Sequence, residues 1–449
     1  MKRILIAASL LAVLAAGCGS SGGGNLPPGG GSGVTLPRTT RANWTVLVYM
    51  NAANNLEPFS VENVDQMEQA SYSSDVNVVL QWKRWHGENQ ISEDAAFDPN
   101  SPEWDGTRRY WLTGQGPAGS TKDEVEDLGS GPVNSVPSGS TVDMGDWHSL
   151  QNFIQWGQAN FPADHYLVVL WNHGAGWEHR AVARTIPHRG LSYDDQSGSS
   201  IETWQLQLGL AAPRPLDVVA VDCSLMQMLE VTYQMRNVAT YAVGSEDSPP
   251  GDGYPYQLWV PALTSNPTMD PLSAAKLISD TFASFYQNNT DSGGNQDSVT
   301  QSVVATSALP AVAQALSALG DALYANRTQY ASAFAQARDS ATEYALEGTS
   351  QSSIYPEYKD MTQYAMLLKQ YAPNAPGVSQ AADNLIAAEN QAVLDNHGIR
   401  ADSFSHGLSI YVPVAESAAP PPQSYDSTYT NLDLAHDTSW PKWLQNQAQ

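Results

Sequence analysis

Trp44 to Met50 is an almost unbroken apolar run of strand length, and Asn51 to Asn55 turn the chain after it. Pro58 to Ala70 then has helical spacing. Val76 to Trp82 reads as a second strand and Arg108 to Thr113 as a shorter third. Between Ser149 and Phe161, the residues Leu150, Phe153, Ile154 and Trp156 recur at helical intervals. His165 to Trp171 and Leu216 to Val221 are buried-strand patterns, Met226 to Met235 is a helix pattern, and Thr240 to Gly244 is again a strand. Strands that are apolar throughout are covered on both faces. Their alternation with helices predicts an α/β fold, a mostly parallel sheet flanked by helices.

The texture changes after about Leu263. Pro271 to Gln287, Leu309 to Ala325, Thr328 to Glu347, Asp360 to Tyr371 and Val378 to Leu394 are Ala-rich helical patterns. One late strand, Gly407 to Pro413, follows them, and Pro420-Pro421-Pro422 marks a loop. The expected organisation is an α/β domain over 43–262 and a helix-rich region over 263–449 that carries the strand 407–413.

The first forty residues have a different character. Lys2 and Arg3 precede a short apolar run, Ile4 to Ala16, which ends in Leu14-Ala15-Ala16-Gly17-Cys18. The run is too short for a mature membrane span. With its small-residue end it reads as a signal peptide over 1–17. A cysteine directly after the small residues resembles a bacterial lipobox, so Cys18 is the expected lipidation site. Residues 18–42 are then a Gly/Ser/Pro-rich tether. The expected location is outside the cytoplasm, lipid-anchored in the cell envelope (the outer membrane) or secreted, with membrane contact through that lipid alone. A lipidated Cys18 leaves Cys223, the second of two cysteines, without an intramolecular partner.

Lys and Arg number 21 against 46 Asp and Glu, a net charge of −25. Such a field repels nucleic acid and anionic lipid and suits a cationic ligand.

In an open parallel sheet, ligands bind beyond the carboxyl ends of the strands. Two predicted strands end in chemistry-bearing residues: Asn172-His173-Gly174-Ala175-Gly176 and Asp222-Cys223-Ser224. A His after one strand and a nucleophile about fifty residues later is a caspase-like spacing. Gly174 and Gly176 let backbone approach a substrate closely and can offer N–H donors to an oxyanion. A capped strand end with a structural His is the plainer alternative. His173, His179 and His188 fit no common zinc spacing, so no metal site is expected there. The aromatic-rich Gln81 to His86 is a candidate rim of a substrate groove, and a strand end with exposed rings is the plainer reading.

Several segments, in order, resemble the clostripain-type cysteine peptidases, which have a caspase-like fold. Trp44 to Met50 with Asn54-Asn55-Leu56-Glu57 is similar to the family's opening strand and turn. Met144-Gly145-Asp146, Ala163 to Tyr166 and Trp171 to Gly174 are similar to its histidine block. Leu225-Met226, Glu230-Val231, Val243 to Glu246 and Pro250 to Tyr256 are similar to its nucleophile block and the segments after it, and Gly407 to Tyr411 is also family-like.

The resemblance implies an endopeptidase that cleaves after Arg or Lys, with His173 in a Cys–His dyad and Gly174 at the oxyanion site. Its partner would be a peptide or protein rich in basic residues. It implies no cofactor, apart from a calcium ion in some relatives, for which Asp194-Asp195 is a candidate beside a plain solvated turn. Substrate-pocket carboxylates would be Asp222 and Asp252, against the simpler roles of helix cap and turn residue. Self-cleavage between the two blocks would fall at Arg180, Arg184 or Arg189.

Two departures stand out. Ala53 occupies a position where the family usually has Asp. The family pattern Asp-Ala-Cys-Leu-Met reads here Asp222-Cys223-Ser224-Leu225-Met226, so Ser224 stands at the cysteine position. Three outcomes are open: Ser224 is a weak or dead replacement, Cys223 takes over, or Ser224 is a true serine nucleophile. The first makes the chain a pseudopeptidase, a cell-surface binding or scaffold protein.

Overall fold

The computed structural model describes residues 35–87, 103–114, 122–177, 190–344, 357–414 and 425–447. Cys18, His179, His188, the three loop arginines and the Pro420–Pro422 run lie outside these residues. The chain forms β1 (Ala42–Ala52), α1 (Glu57–Glu68), β2 (Val76–Arg84), β3 (Asp105–Leu112), β4 (Lys122–Gly131), α2 (Trp147–Asn160) and β5 (Ala163–Trp171). The short β6 (Leu191–Asp194), β7 (Ser199–Ile201) and α3 (Leu206–Gly209) lead to β8 (Leu216–Asp222), α4 (Leu229–Gln234) and β9 (Ala239–Gly244). Then come α5 (Tyr256–Ser265), α6 (Pro271–Asn288), β10 (Val299–Ala305), α7 (Leu309–Asn326), α8 (Ala331–Ser340) and β11 (Tyr358–Asp360). Last are α9 (Met361–Tyr371), α10 (Val378–Ala392), β12 (Val393–Ile399), β13 (Ser409–Tyr411), α11 (Asp433–Asp437) and α12 (Trp440–Gln445).

Nine strands make one sheet, in the order β12-β10-β9-β8-β5-β1-β2-β3-β4. The five central strands, β9 to β2, run parallel, and the outer two on each side are antiparallel. The parallel centre matches the apolar runs read in the sequence. The outer strands were less legible. β4 (KDEVEDLGSG) is polar on both faces, as an edge strand tolerates. The helix expected through Leu394 stops at Ala392, where β12 begins. The late strand β13 pairs with β11 in a separate two-stranded sheet. Both β10 and β12, beyond residue 263, complete the same nine-stranded sheet.

Alternation along each strand builds two cores. Leu47 and Tyr49 of β1 join Val168 and Leu170 of β5 and Val219 and Val221 of β8 on one face. There α2, α4, α7, α9, α10 and α12 cover them through residues such as Phe153, Leu229, Leu316, Leu368, Leu385 and Trp440. Val46 and Val48, with Val169 and Val218, face the opposite core under Val64 of α1, Trp259 of α5 and Phe282 of α6. At about 1.5–3 kcal/mol per fully buried large apolar side chain, this double burial dominates the favourable side of folding. Among the described residues no helix is long and apolar enough to cross a membrane.

Candidate active site

β5 and β8 are neighbours, with Trp171 in register with Asp222. Their carboxyl ends therefore deliver His173 and Ser224 to the same rim of the sheet, where a ligand is expected. The amide N–H of Asn172 donates to the carbonyl of Asp222 at 3.3 Å, carrying the pairing one residue past the strand. Gly174 presses on the second segment. A Cβ built on it would lie 2.4 Å from the carbonyl oxygen of Ser224 and 3.0 Å from Cβ of Cys223. A glycine is thus required where the loop after β5 meets the loop after β8.

His173 is half-buried. Its Nε2 lies 2.8 Å from Asn55 Oδ1, and its ring stacks on Tyr193 with centroids 5.7 Å apart. An amide oxygen only accepts, so Nε2 carries the proton and Nδ1 is the basic nitrogen. Asn55 and Tyr193 are partners of His173 that no spacing argument singled out. The signal for Asn55 was the Asn-rich turn after β1. Asn172 fixes this arrangement: its Nδ2 donates to the Asn51 carbonyl, and its Oδ1 accepts from the Tyr193 amide at 2.6 Å.

The strand period separates the residues of the Asp222-Cys223-Ser224 segment. Val221 and Cys223 face one core. Asp222 faces the other, beneath Tyr254 and Tyr256. Cys223 is buried, and its Sγ approaches the Leu170 carbonyl at 3.5 Å. Burial, with the nearby Asp222, pushes its thiol well above the ordinary range, the opposite of what a nucleophilic thiol needs. Ser224 stands past the strand end, half-buried, with its Oγ 2.7 Å from Ser248 Oγ. Leu225 then takes φ +65°, a left-handed conformation that a branched residue adopts only when its surroundings impose it. Its amide donates to the Asp247 carbonyl at 3.2 Å. The sharp turn holds the Ser224 hydroxyl out while Leu225 is buried in the core.

Asp222 is 5% exposed. Its Oδ2 accepts from the Tyr254 amide at 3.1 Å and the Tyr256 hydroxyl at 2.8 Å. Burial outweighs those bonds and pushes its carboxyl up to about 7. Gly253, with φ +64°, lies so close that a Cβ there would stand 2.8 Å from Asp222 Oδ2. Asp252, the other predicted pocket carboxylate, adjoins Gly253 in the chain but has a different setting. Asp252 is half-buried and accepts from the Ser292 amide at 2.8 Å. Its negative field reaches Glu62 and Asp297, whose carboxyls burial chiefly, and this charge in part, push up.

Asp194 is no solvated turn residue. Its carboxylate is fully buried, 2.7 Å from Lys83 Nζ, and accepts the Met144 and Ser197 amides. These contacts occupy the Asp194 carboxylate. Ala53 is buried, with its amide on Asn51 Oδ1 at 3.2 Å.

Clostripain of Hathewaya histolytica is 25% identical over 198 residues, which are 43% of this chain and 36% of that protein. The match spans little more than a third of that relative's length. A secreted C11 cysteine protease from Bacteroides thetaiotaomicron, solved with an irreversible peptide inhibitor, superposes with a TM-score of 0.61 at 21% identity. That alignment covers 89% of this chain and 99% of the other. An inactive zymogen C11 protease from Parabacteroides distasonis gives 0.61 at 18% identity, covering 91% and 100%. These likenesses establish the caspase-like C11 fold. The Peptidase C11 model, described as the clostripain family, matches residues 48–446, and the chain belongs to that family.

Proposed function

We propose that this chain is an exported endopeptidase that cleaves after Arg or Lys, with Ser224 as nucleophile and His173 as general base. The packing of Gly174 on Ser224, with Cys223 turned into the core, is the observation that supports this reading. Ser224 Oγ attacks the scissile carbonyl carbon while its proton passes to His173 Nδ1. The amide N–H groups of Gly174 and Ser224 stabilise the oxyanion. The imidazolium then protonates the leaving amine, and water resolves the ester by the reverse sequence. Asn55 holds the required tautomer by accepting from Nε2. Asp222, held up to about 7, carries only part of a charge at neutral pH, so Asp252 supplies most of the attraction for a basic side chain. The N-terminal pattern and the description of one structural relative as secreted support export, with Cys18 as the lipid anchor.

One observation favours a second reading, a pseudopeptidase that binds basic peptide segments. Ser224 Oγ is bonded to Ser248, and His173 Nε2 to Asn55. A hydroxyl needs a stronger base than a thiol does, and the group on Nε2 is a neutral amide rather than a carboxylate. Turnover of a fluorogenic Arg-amide separates the two. Activity lost in both His173→Ala and Ser224→Ala establishes the peptidase. No turnover at any pH or calcium level, with Arg-peptide binding retained, establishes the binder.

A further inference from the structure

Far along the chain from the rim that holds His173, the edge strand β12 meets helix α6. Asp395 and His397 are two residues apart on β12 and so point to the same face. On that face Asp280 of α6 reaches them. His397 Nε2 lies 3.0 Å from Asp280 Oδ1 and 3.1 Å from Asp395 Oδ2. One ligand atom from each of the three falls within 4.8 Å of the others.

The single Nε2–H is aimed at Asp280, with which it makes a hydrogen bond. Asp395 Oδ2 is closed off from solvent and meets no donor at hydrogen-bond geometry, although His397 stands beside it. Ser279, one residue before Asp280, is wholly buried, and its Oγ likewise has no partner at hydrogen-bond geometry. Two carboxylates from different elements thus converge on one nitrogen, and one of their oxygens is shielded from solvent.

We propose that Asp280, Asp395 and His397 form a binding site for a divalent cation of the zinc class. One imidazole nitrogen with two carboxylate oxygens suits Zn²⁺ or Co²⁺, whereas Ca²⁺ takes oxygen ligands alone. Asp280 is exposed, so the ion can enter and water can complete its coordination. Ligands from both elements would tie the edge strand to α6. That helix in turn holds the Gly253 carbonyl through the Tyr286 hydroxyl at 2.8 Å, beside Asp252.

The test is calorimetric titration of Zn²⁺ into the mature chain, with Co²⁺ as a spectroscopic probe. One tight Zn²⁺ per chain is expected, weakened by more than about tenfold in His397→Ala and Asp395→Asn. Visible Co²⁺ bands should disappear in the same variants. Asp280→Asn changes an exposed side chain that no core depends on, so its loss of affinity cannot be attributed to unfolding. Ser224→Ala should bind normally. A wild type that takes up no Zn²⁺, or binding unchanged in Asp280→Asn and His397→Ala, overturns the proposal.

Discussion

Gly174 and Ser224 meet so closely that the space for one methyl group is missing: a Cβ on Gly174 would stand 2.4 Å from the Ser224 carbonyl oxygen. The neighbour is backbone, tied through the left-handed Leu225, and cannot swing aside. Gly174→Ala should therefore destabilise the protein by about 1–3 kcal/mol and displace Ser224 from His173. Differential scanning calorimetry checks the first effect and Arg-amide turnover the second. An unchanged melting temperature would show that the two loops are looser than this contact requires.

The burial of Cys223 makes its chemistry predictable. Iodoacetamide should leave the native thiol unmodified and label it fully in denaturant, as read by mass spectrometry. Cys223→Ala alone should leave any turnover intact. Cys223→Ala with Ser224→Cys restores the family pattern at nearly constant volume, and should raise Arg-amide hydrolysis by at least about a hundredfold, or about 2.7 kcal/mol of barrier. A thiol at position 224 loses its proton far more readily than a hydroxyl, whereas the serine must lose its proton in the transition state. Loss of turnover in Cys223→Ala would place the nucleophile at residue 223 instead.

Two buried carboxyls give a stability profile with a definite sign. Asp222 and Glu230 are both held up to about 7, chiefly by burial. Glu230 accepts the Tyr411 amide at 3.0 Å and the Tyr429 hydroxyl at 2.9 Å. Between about 4 and 7 the unfolded chain has released these protons while the folded chain still holds them. Stability should then fall as pH rises through that window, by up to about 1.4 kcal/mol per pH unit for each group. Below 4 and above 7 the contribution is flat. Urea melts at intervals from pH 4 to 8 measure it, and Asp222→Asn should flatten the slope by about half. A slope of the opposite sign would mean that both carboxyls are ionised in the fold.

Lys83 and Asp194 form an ion pair with both side chains fully buried. Lys83 Nζ also donates to the Val142 carbonyl at 2.9 Å. Lys83→Met leaves the Asp194 carboxylate uncompensated, and should cost about 3–5 kcal/mol. Because Asp194 ends the strand that carries Tyr193, the stacked partner of His173, the change should also loosen His173. Broadening of the His173 ring resonance in NMR reads that effect. Lys83→Met combined with Asp194→Leu should recover much of the stability, since it removes the stranded charge.

The amino-acid sequence by itself determined the parallel centre of the sheet. Strands such as Trp44 to Met50 and His165 to Trp171 are apolar at nearly every position, and only a strand covered on both faces buries them. It also determined which strand ends carry chemistry, because His173 and Ser224 closely follow such runs. The edges were not legible: β4 is polar on both faces and β12 continues α10 without a break, so neither has a period to read. Tertiary structure alone set Cys223 and Ser224 apart. Adjacent in sequence, they differ because β8 sends Val221 and Cys223 to one core and Asp222 to the other, and the Leu225 turn then presents Ser224 at the rim. It also decided the partners of His173, since Asn55 and Tyr193 come from segments far away in the chain. Local pattern records which face a residue prefers, but long-range contacts choose what it meets there.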